Sequence, residues 1–419
     1  MRTLLRAAPP GAVPIALGLA VLSVTGYITL VIAARRLGAA DSSGISALYV
    51  LLAAISTGLY LPLEQEVARL WGHRRALGTT RAGIIAGAAE IGIAVTVVVE
   101  GILFAAHGVV IRTLDGNRGL FAALLVGLPG YAACFLSRGV LAGTARFHRY
   151  GTMLAIEGAI RLVAVLVLVA AGTHSPAAIG WTFAAAPWVA VLATSWPLGD
   201  DGGGTPAETV REARVTLARA LGLLLVSSAA AQLLINAGPV VVQLVGDRSD
   251  RASAGAFLAS LVIVRIPVIL FVAVQPSFLP AMAGRAATGD RAGFVSLLRT
   301  TLRLSAAFTA LTTAGAAALG PPVVRWFFGF DVVPSRARFA EMGLAVGLFL
   351  AATVLAQALV ALVGHAQASI AWLIGVAGLA AGTAPSGDPV ARASLGFLTG
   401  ALCALAAQAF FARRALASP

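Results

Sequence analysis

A glutamate and an arginine four residues apart, Glu157 and Arg161, lie within the fifth of several long apolar runs. About 20 apolar residues cross a bilayer as a helix, and a charge near the centre costs about 2.5–3.5 kcal/mol on insertion scales. At this spacing both side chains share one helical face, with the acid first, which is the favourable order for a pair. Two interpretations stay open. The pair neutralises both charges in the membrane, or it lines a cavity in which Arg161 is available to an anionic group of a cargo.

Arg265 is a second cation inside an apolar run. It lies near the middle of the eighth run, and no Asp or Glu lies within one helical turn of it. Its partner must therefore come from another helix, from water or from a cargo. We predict that Arg265 faces a cavity. The alternative is an ion pair with a glutamate from the other half of the chain.

The second apolar run ends with two glutamates and an arginine, Glu64, Glu66 and Arg69. Residues two apart point about 200° apart around a helix, so the two acids cannot share a face. One of them is predicted to act at a gate or in ion coupling. The other pairs with Arg69, and Glu66 has the better spacing for that pair.

The third run contains Glu90 and Glu100, ten residues apart, which we expect to lie at nearly the same azimuth. This spacing suits a path for a proton or a cation, and the alternative is neutral acids hydrogen-bonded inside a bundle. Amides in the seventh and eighth runs can line a cavity or hold helices together; they are Gln232, Asn236, Gln243 and Gln275.

These side chains require membrane-spanning helices to position them. The chain of 419 residues is 59% hydrophobic and 11% charged, with a mean hydropathy of +0.92, whereas soluble proteins carry about 25% charged residues. We predict an all-α polytopic membrane protein with about twelve transmembrane helices. The predicted spans are 11–33, 44–70, 82–107, 118–143, 151–172, 177–198, 215–245, 254–283, 294–319, 338–363, 366–383 and 390–412.

The polar segment 199–214 has six runs on each side. This symmetry predicts an N-terminal six-helix bundle over 1–198, a cytoplasmic linker over 199–214 and a C-terminal six-helix bundle over 215–419. An excess of arginine on the side of the termini favours a cytoplasmic location for both termini.

Composition excludes several classes of function. The net charge of +13 does not indicate nucleic-acid binding, because most arginines lie in or beside short loops, where they set topology. All 30 basic residues are arginine, so a Walker A lysine is missing and an ATP-driven motor of that type is excluded. The five histidines have no metal-ligand spacing. We predict no metal, no cofactor and no enzymatic activity.

Several stretches resemble a known group of transporters. They are the end of the first run, Ala34–Asp41; the connection Leu141–Phe147 with Tyr150–Gly151 and Glu157–Gly158 after it; and Gln275–Pro280 with Gly289–Arg291 after it. They are similar to polysaccharide-biosynthesis membrane proteins, the O-antigen-type flippases of the multidrug/oligosaccharidyl-lipid/polysaccharide (MOP) exporter superfamily. The resemblance implies two six-helix bundles around a central cavity, a MATE-like fold. It also implies flipping of glycans linked to undecaprenyl pyrophosphate.

We therefore predict a flippase or exporter of lipid-linked oligosaccharide or polysaccharide precursors, of the lipopolysaccharide type. It works by alternating access in the cytoplasmic membrane of a prokaryote. Arg161 and Arg265 attract the pyrophosphate or an acidic sugar, and an intramembrane glutamate couples transport to a proton or Na⁺. A multidrug/cation antiporter of the same fold is one alternative. A membrane-embedded glycan polymerase or ligase is another.

Overall fold

A computed structural model describes residues 11–37, 39–78, 83–194, 210–245, 260–261, 263–326, 333–385 and 387–417. Helices joined by short turns make up these residues, and no strand occurs among them. The first half contains α1 (Ala12–Leu37), α2 (Ala39–Ala76), α3 (Ile84–Ala105), α4 (His107–Thr113), α5 (Arg118–Gly143), α6 (Phe147–Ala170) and α7 (Pro176–Thr194). The second half contains α8 (Val210–Val245), α9 (Ile266–Ala287), α10 (Arg291–Trp326), α11 (Arg336–Ala361), α12 (His365–Thr383) and α13 (Pro389–Ala417).

Eleven helices in the described part of the chain are long and apolar enough to cross a membrane. The predicted eighth span, 254–283, begins outside the described residues. Large apolar side chains cover the outer side of α3, where Ile93, Val97 and Ile102 are each more than 60% exposed. An exterior of this kind suits contact with lipid rather than with water.

Contacts divide the helices into two compact units. The first comprises Met1–Leu221 with Ala273–Ala287, and the second comprises Gly222–Val272 with Thr288–Pro419. The end of α9 thus packs in the first unit, where a Cβ on Gly72 would lie 2.8 Å from the carbonyl oxygen of Pro280. The predicted linker 199–214 lies largely outside the described residues, and the two six-helix bundles stay a prediction.

In the first unit, α5 is the central helix, because it contacts α2, α3 and α7 and also touches α6. Glycines permit close approach between the helices that carry the charged side chains. A Cβ on Gly139 of α5 would lie 2.8 Å from the Glu64 carbonyl oxygen of α2. A Cβ on Gly158 of α6 would lie 2.9 Å from the Leu22 Cα of α1.

In the second unit, α11 is the candidate membrane span with the largest fraction of buried residues, and it contacts α10 and α13. Its Phe349 packs against Trp372 of α12 at a ring-centroid distance of 5.1 Å and against Phe397 of α13 at 6.3 Å. Aromatic pairs at these distances add to the packing of a helical core.

Candidate functional site

Five polar side chains from three helices form a buried group in the first unit, which we call the interior cluster. It consists of Glu64 on α2, Arg138 on α5, and Tyr150, Glu157 and Arg161 on α6. Each of the five residues is between 1% and 6% exposed. Charges buried this deeply among apolar helices require partners, and the cluster supplies them.

Glu157 holds two arginines at once. Arg138 Nη2 donates to Glu157 Oε2 at 2.5 Å, and Arg161 Nη2 donates to Glu157 Oε1 at 3.1 Å. The predicted Glu157–Arg161 pair is therefore present, and Glu157 shares its single negative charge between Arg161 and Arg138. The role of Arg161 toward a cargo stays a prediction.

Aromatic side chains complete the surroundings of both guanidinium groups. Arg138 lies over the Phe135 ring at 4.9 Å and Arg161 over the Phe183 ring at 4.8 Å. Arg161 Nη2 also donates to the Tyr131 hydroxyl at 3.4 Å. Cation–π contacts of this kind are strongest where water is excluded.

Glu64 differs from the other buried glutamates of the first unit in its hydrogen-bond partner. The Tyr150 hydroxyl donates to Glu64 Oε1 at 2.7 Å. Glu66, two residues on, instead accepts from Arg69 through both oxygens, at 2.8 and 2.5 Å. The predicted pairing of Glu66 with Arg69 is confirmed, while the gate and ion-coupling roles stay predictions.

Arg138 and Tyr150 were missed by sequence reasoning. Arg138 lies five residues before the end of the predicted span 118–143, so its position inside an apolar run was the available signal. Its place near the end of the run is also typical of an arginine that sets topology. Tyr150 lies just before the predicted fifth span, and with Gly151 it belongs to the stretch that resembles the flippases, but nothing in the sequence indicated Glu64 as its partner.

Arg265 lies in the second unit, in a turn directly ahead of α9. Its Nη1 donates to Asn236 Oδ1 at 3.1 Å, and its Nη2 donates to the Ile235 carbonyl oxygen. Asn236 Nδ2 donates in turn to the Gln232 side chain at 2.9 Å. The structure thus brings together three of the predicted cavity residues, Gln232, Asn236 and Arg265.

Other predicted residues lie elsewhere. Gln275 is half-buried on α9, and Glu90 is exposed on α3. Glu100 is half-buried and lines a cavity of about 340 Å³ together with Thr96 and Trp188. Glu90 and Glu100 therefore differ in their surroundings. The expectation of a shared azimuth is wrong, because ten residues turn an α-helix by about 1,000° and leave the two side chains about 80° apart. The side chain of Gln243 lies outside the described part of the chain.

Comparisons with known proteins give a fold and no established activity. No protein-family model matches the chain. Uncharacterized proteins of Mycobacterium tuberculosis and Mycobacterium bovis are 24% identical to it over 364 residues, which cover 84% of this chain and 80% of the relative.

The solved structures to which the chain is similar are MATE transporters. A mutant of a Vibrio cholerae MATE transporter is 12% identical with a TM-score of 0.79, covering 98% of this chain and 96% of that one. A MATE transporter in a bent conformation has a TM-score of 0.80 at 11% identity, with coverage of 97% and 94%. An outward-facing multidrug resistance MATE transporter of the MOP superfamily has a TM-score of 0.76 at 11% identity, with coverage of 98% and 96%. The predicted fold class is confirmed: this chain is an all-α, multi-pass membrane protein with the fold of MATE transporters.

Proposed function

We propose that the protein exports lipid-linked oligosaccharide or polysaccharide precursors across the cytoplasmic membrane by alternating access, driven by a proton or Na⁺. The observation that carries the proposal is the environment of Arg265. Among the described residues, its hydrogen-bond partners are the neutral oxygens of Asn236 and Ile235. Its Nε has no hydrogen-bond partner there.

A guanidinium group with neutral partners inside a membrane protein retains its positive charge and its donor geometry. Arginine matches phosphate oxygens through two parallel N–H donors. The pyrophosphate of a lipid-linked glycan supplies such oxygens, and the neighbouring amides of Gln232 and Asn236 can hydrogen-bond sugar hydroxyls. The resemblance of the sequence to O-antigen-type flippases supports the same cargo.

The interior cluster supports ion coupling. With Glu64 ionised, its two acids balance Arg138 and Arg161. When Glu64 binds a proton, the cluster carries one excess positive charge in a place where charge is costly. We propose Glu64, with Tyr150 as its hydrogen-bond partner, as the group through which the ion gradient acts on the first unit.

The test uses purified protein in vesicles that contain a fluorescent glycan linked to undecaprenyl pyrophosphate. Flipping is followed by an impermeant enzyme that modifies only the exposed glycan. Arg265→Ala is expected to slow flipping by about tenfold or more, because a hydrogen bond to a charged group is lost. Arg265→Lys is expected to keep part of the rate, since a point charge still attracts phosphate.

The matched control is Arg338→Ala on α11. Arg338 already has an acidic partner, Glu341, at 2.6 Å, so its removal should leave flipping unchanged. Wild-type flipping by a well-folded Arg265→Ala variant would contradict the proposed cargo contact. Failure of the wild-type protein to flip the glycan at all would contradict the proposed function itself.

A multidrug/cation antiporter is a second candidate, and the cavity beside Glu100 favours it. That cavity has mainly apolar walls, including Leu63 and Trp188, with one carboxylate, and it opens at Ile93 on the exposed side of α3. A lipophilic cation fits such a lining. The test is efflux of a fluorescent cation. Loss of this efflux in Glu100→Gln, with normal efflux in Glu90→Gln, would support the antiporter function. The structural matches are transporters, and we do not propose the polymerase or ligase.

A further inference from the structure

One side of α10 carries a row of arginines near its first residue. Arg291, Arg299 and Arg303 are all exposed, and their spacings of eight and four place them within one half of the helix surface. They line a groove together with the hydroxyl side chains Ser296 and Thr300. We call this surface the basic face. Neither Arg299 nor Arg303 has a hydrogen bond or ion pair with another described residue.

The buried side of the same turns lies about 100–180° around the helix from Arg299 and Arg303, and Arg291 lies at its edge. Phe294 is 2% exposed and Leu298 is 6% exposed. The orientation of the helix is therefore fixed by its apolar side, and the basic face is held toward the outside. Such a helix end is amphipathic, with a separated charged surface.

The end of α13 extends the positive charge. Arg291 Nη2 donates to the carbonyl oxygen of Leu416, which places this end beside the start of α10. The exposed Arg413 and Arg414 belong to the same end of the unit. Asp290 caps the start of α10 by accepting from the Gly293 amide at 2.9 Å, and this one acid is outnumbered by the arginines.

The length of α10 sets the level of the basic face relative to the membrane. Its 36 residues extend about 54 Å, whereas about 20 residues cross the hydrocarbon core. All three arginines of the basic face fall within its first thirteen residues, ahead of the longer apolar stretch. The stretch 304–323 contains 20 residues and no charged side chain, which is enough to cross the hydrocarbon core. A crossing there, rather than over the predicted 294–319, puts the basic face at the level of the lipid headgroups.

We propose that the basic face binds the phosphate groups of anionic phospholipids in the adjacent leaflet. Unpaired guanidinium groups at headgroup level attract anionic lipids, and arginine binds phosphate oxygens in pairs. This partner is a membrane lipid and not the cargo. The inference is thus independent of the proposed function.

The test measures which phospholipids surround the protein in nanodiscs made from equal parts of phosphatidylglycerol and phosphatidylcholine. After partial delipidation, the retained phospholipid is identified by mass spectrometry. We expect the wild-type protein to retain phosphatidylglycerol over phosphatidylcholine by about threefold or more at low salt. We expect Arg299→Gln/Arg303→Gln to lose most of this preference, and Arg299→Lys/Arg303→Lys to keep it.

The matched control removes two exposed arginines elsewhere in the second unit, one near the end of α10 and one at the start of α11, in Arg325→Gln/Arg336→Gln. It should keep the wild-type preference. Equal retention of phosphatidylglycerol by the wild-type protein and by Arg299→Gln/Arg303→Gln would overturn the proposal. The preference should persist in 20 mM inorganic phosphate at constant ionic strength, because headgroups in the bilayer are present at a much higher local concentration than the free ion. If the glutamine pair does not fold, Arg303→Gln alone replaces it, with a partial loss expected.

Discussion

Arg138 on α5 and Arg161 on α6 bind different oxygens of one carboxylate, that of Glu157. Arg138 precedes Glu157 by nineteen residues and lies on the neighbouring helix. Arg161 follows Glu157 by four residues on the same helix. Glu157 is 1% exposed, so water cannot solvate the two arginines if this carboxylate is removed. Loss of Glu157 therefore removes the acidic partner of two buried cations, whereas loss of one arginine leaves the other paired.

This arrangement predicts an order of stability among substitutions. Glu157→Leu leaves two buried cations and should cost more than Arg138→Met, after which Arg161 still neutralises the acid. Loss of one partner from a buried pair costs about 3–5 kcal/mol. Unfolding of the purified variants in detergent, followed by intrinsic fluorescence, gives the comparison.

Replacement of Glu157 and Arg161 together should restore much of the stability that Glu157→Leu alone loses. In Glu157→Leu/Arg161→Met, the charge of Arg138 is still balanced by Glu64, the other acid of the interior cluster. The third change, Arg138→Met, should give no further gain, because it leaves Glu64 as a buried acid without a cation. A triple variant more stable than the double one would show that Glu64 does not balance Arg138.

A second prediction concerns the hydrogen bond between Tyr150 and Glu64, 2.7 Å long. Glu64→Gln imitates the protonated acid, so the protein should fold but lose the acceleration of transport by a proton gradient. Transport is measured in vesicles with and without an imposed pH difference. Exchange transport without a gradient should persist in this variant.

Tyr150→Phe is the companion change to Glu64→Gln. It removes the hydroxyl donor and leaves a buried carboxyl without it, which costs about 1–3 kcal/mol. Tyr150→Phe should cost less stability when it is added to Glu64→Leu than when it is added to the wild-type protein, because no carboxyl group is then left without its donor. Full gradient dependence in Glu64→Gln would exclude this acid as the coupling group and leave Glu66, Glu90 and Glu100 to be examined.

A third prediction follows from the packing of α6 on α1. Gly158 lies next to Glu157, and a Cβ there would lie 2.9 Å from the Leu22 Cα. Gly158→Val should therefore separate the helices and destabilise the protein by about 1–3 kcal/mol. Gly101→Val on α3 is the control, because a Cβ there has open space around it. Equal melting temperatures of the two variants would contradict the close approach.

The sequence predicted the helices well because apolar runs determine them. It predicted Glu157 with Arg161, and Glu66 with Arg69, because such pairs depend only on spacing along one helix. The contact of Arg138 with Glu157 depends on how α5 packs against α6, and that of Glu64 with Tyr150 joins residues 86 apart. Periodicity along one helix contains no information about these contacts. Some helices also extend into polar residues beyond the apolar runs from which the spans were predicted. For example, α10 begins at Arg291, whereas the predicted span begins at 294.

The last prediction concerns orientation in the membrane. Arg413 and Arg414 end α13, and the hydrogen bond of Arg291 to Leu416 places the start of α10 beside them. Arginine accumulates on the cytoplasmic side of membrane proteins, so this end, and the segment 199–214, should be cytoplasmic.

Single cysteines are introduced by Gly203→Cys or His174→Cys after replacement of Cys134 and Cys403. An impermeant thiol reagent should label Gly203→Cys only in inverted vesicles, and it should label His174→Cys, between α6 and α7, only in right-side-out vesicles. The reverse pattern would place the arginine-rich end outside, contrary to the charge distribution.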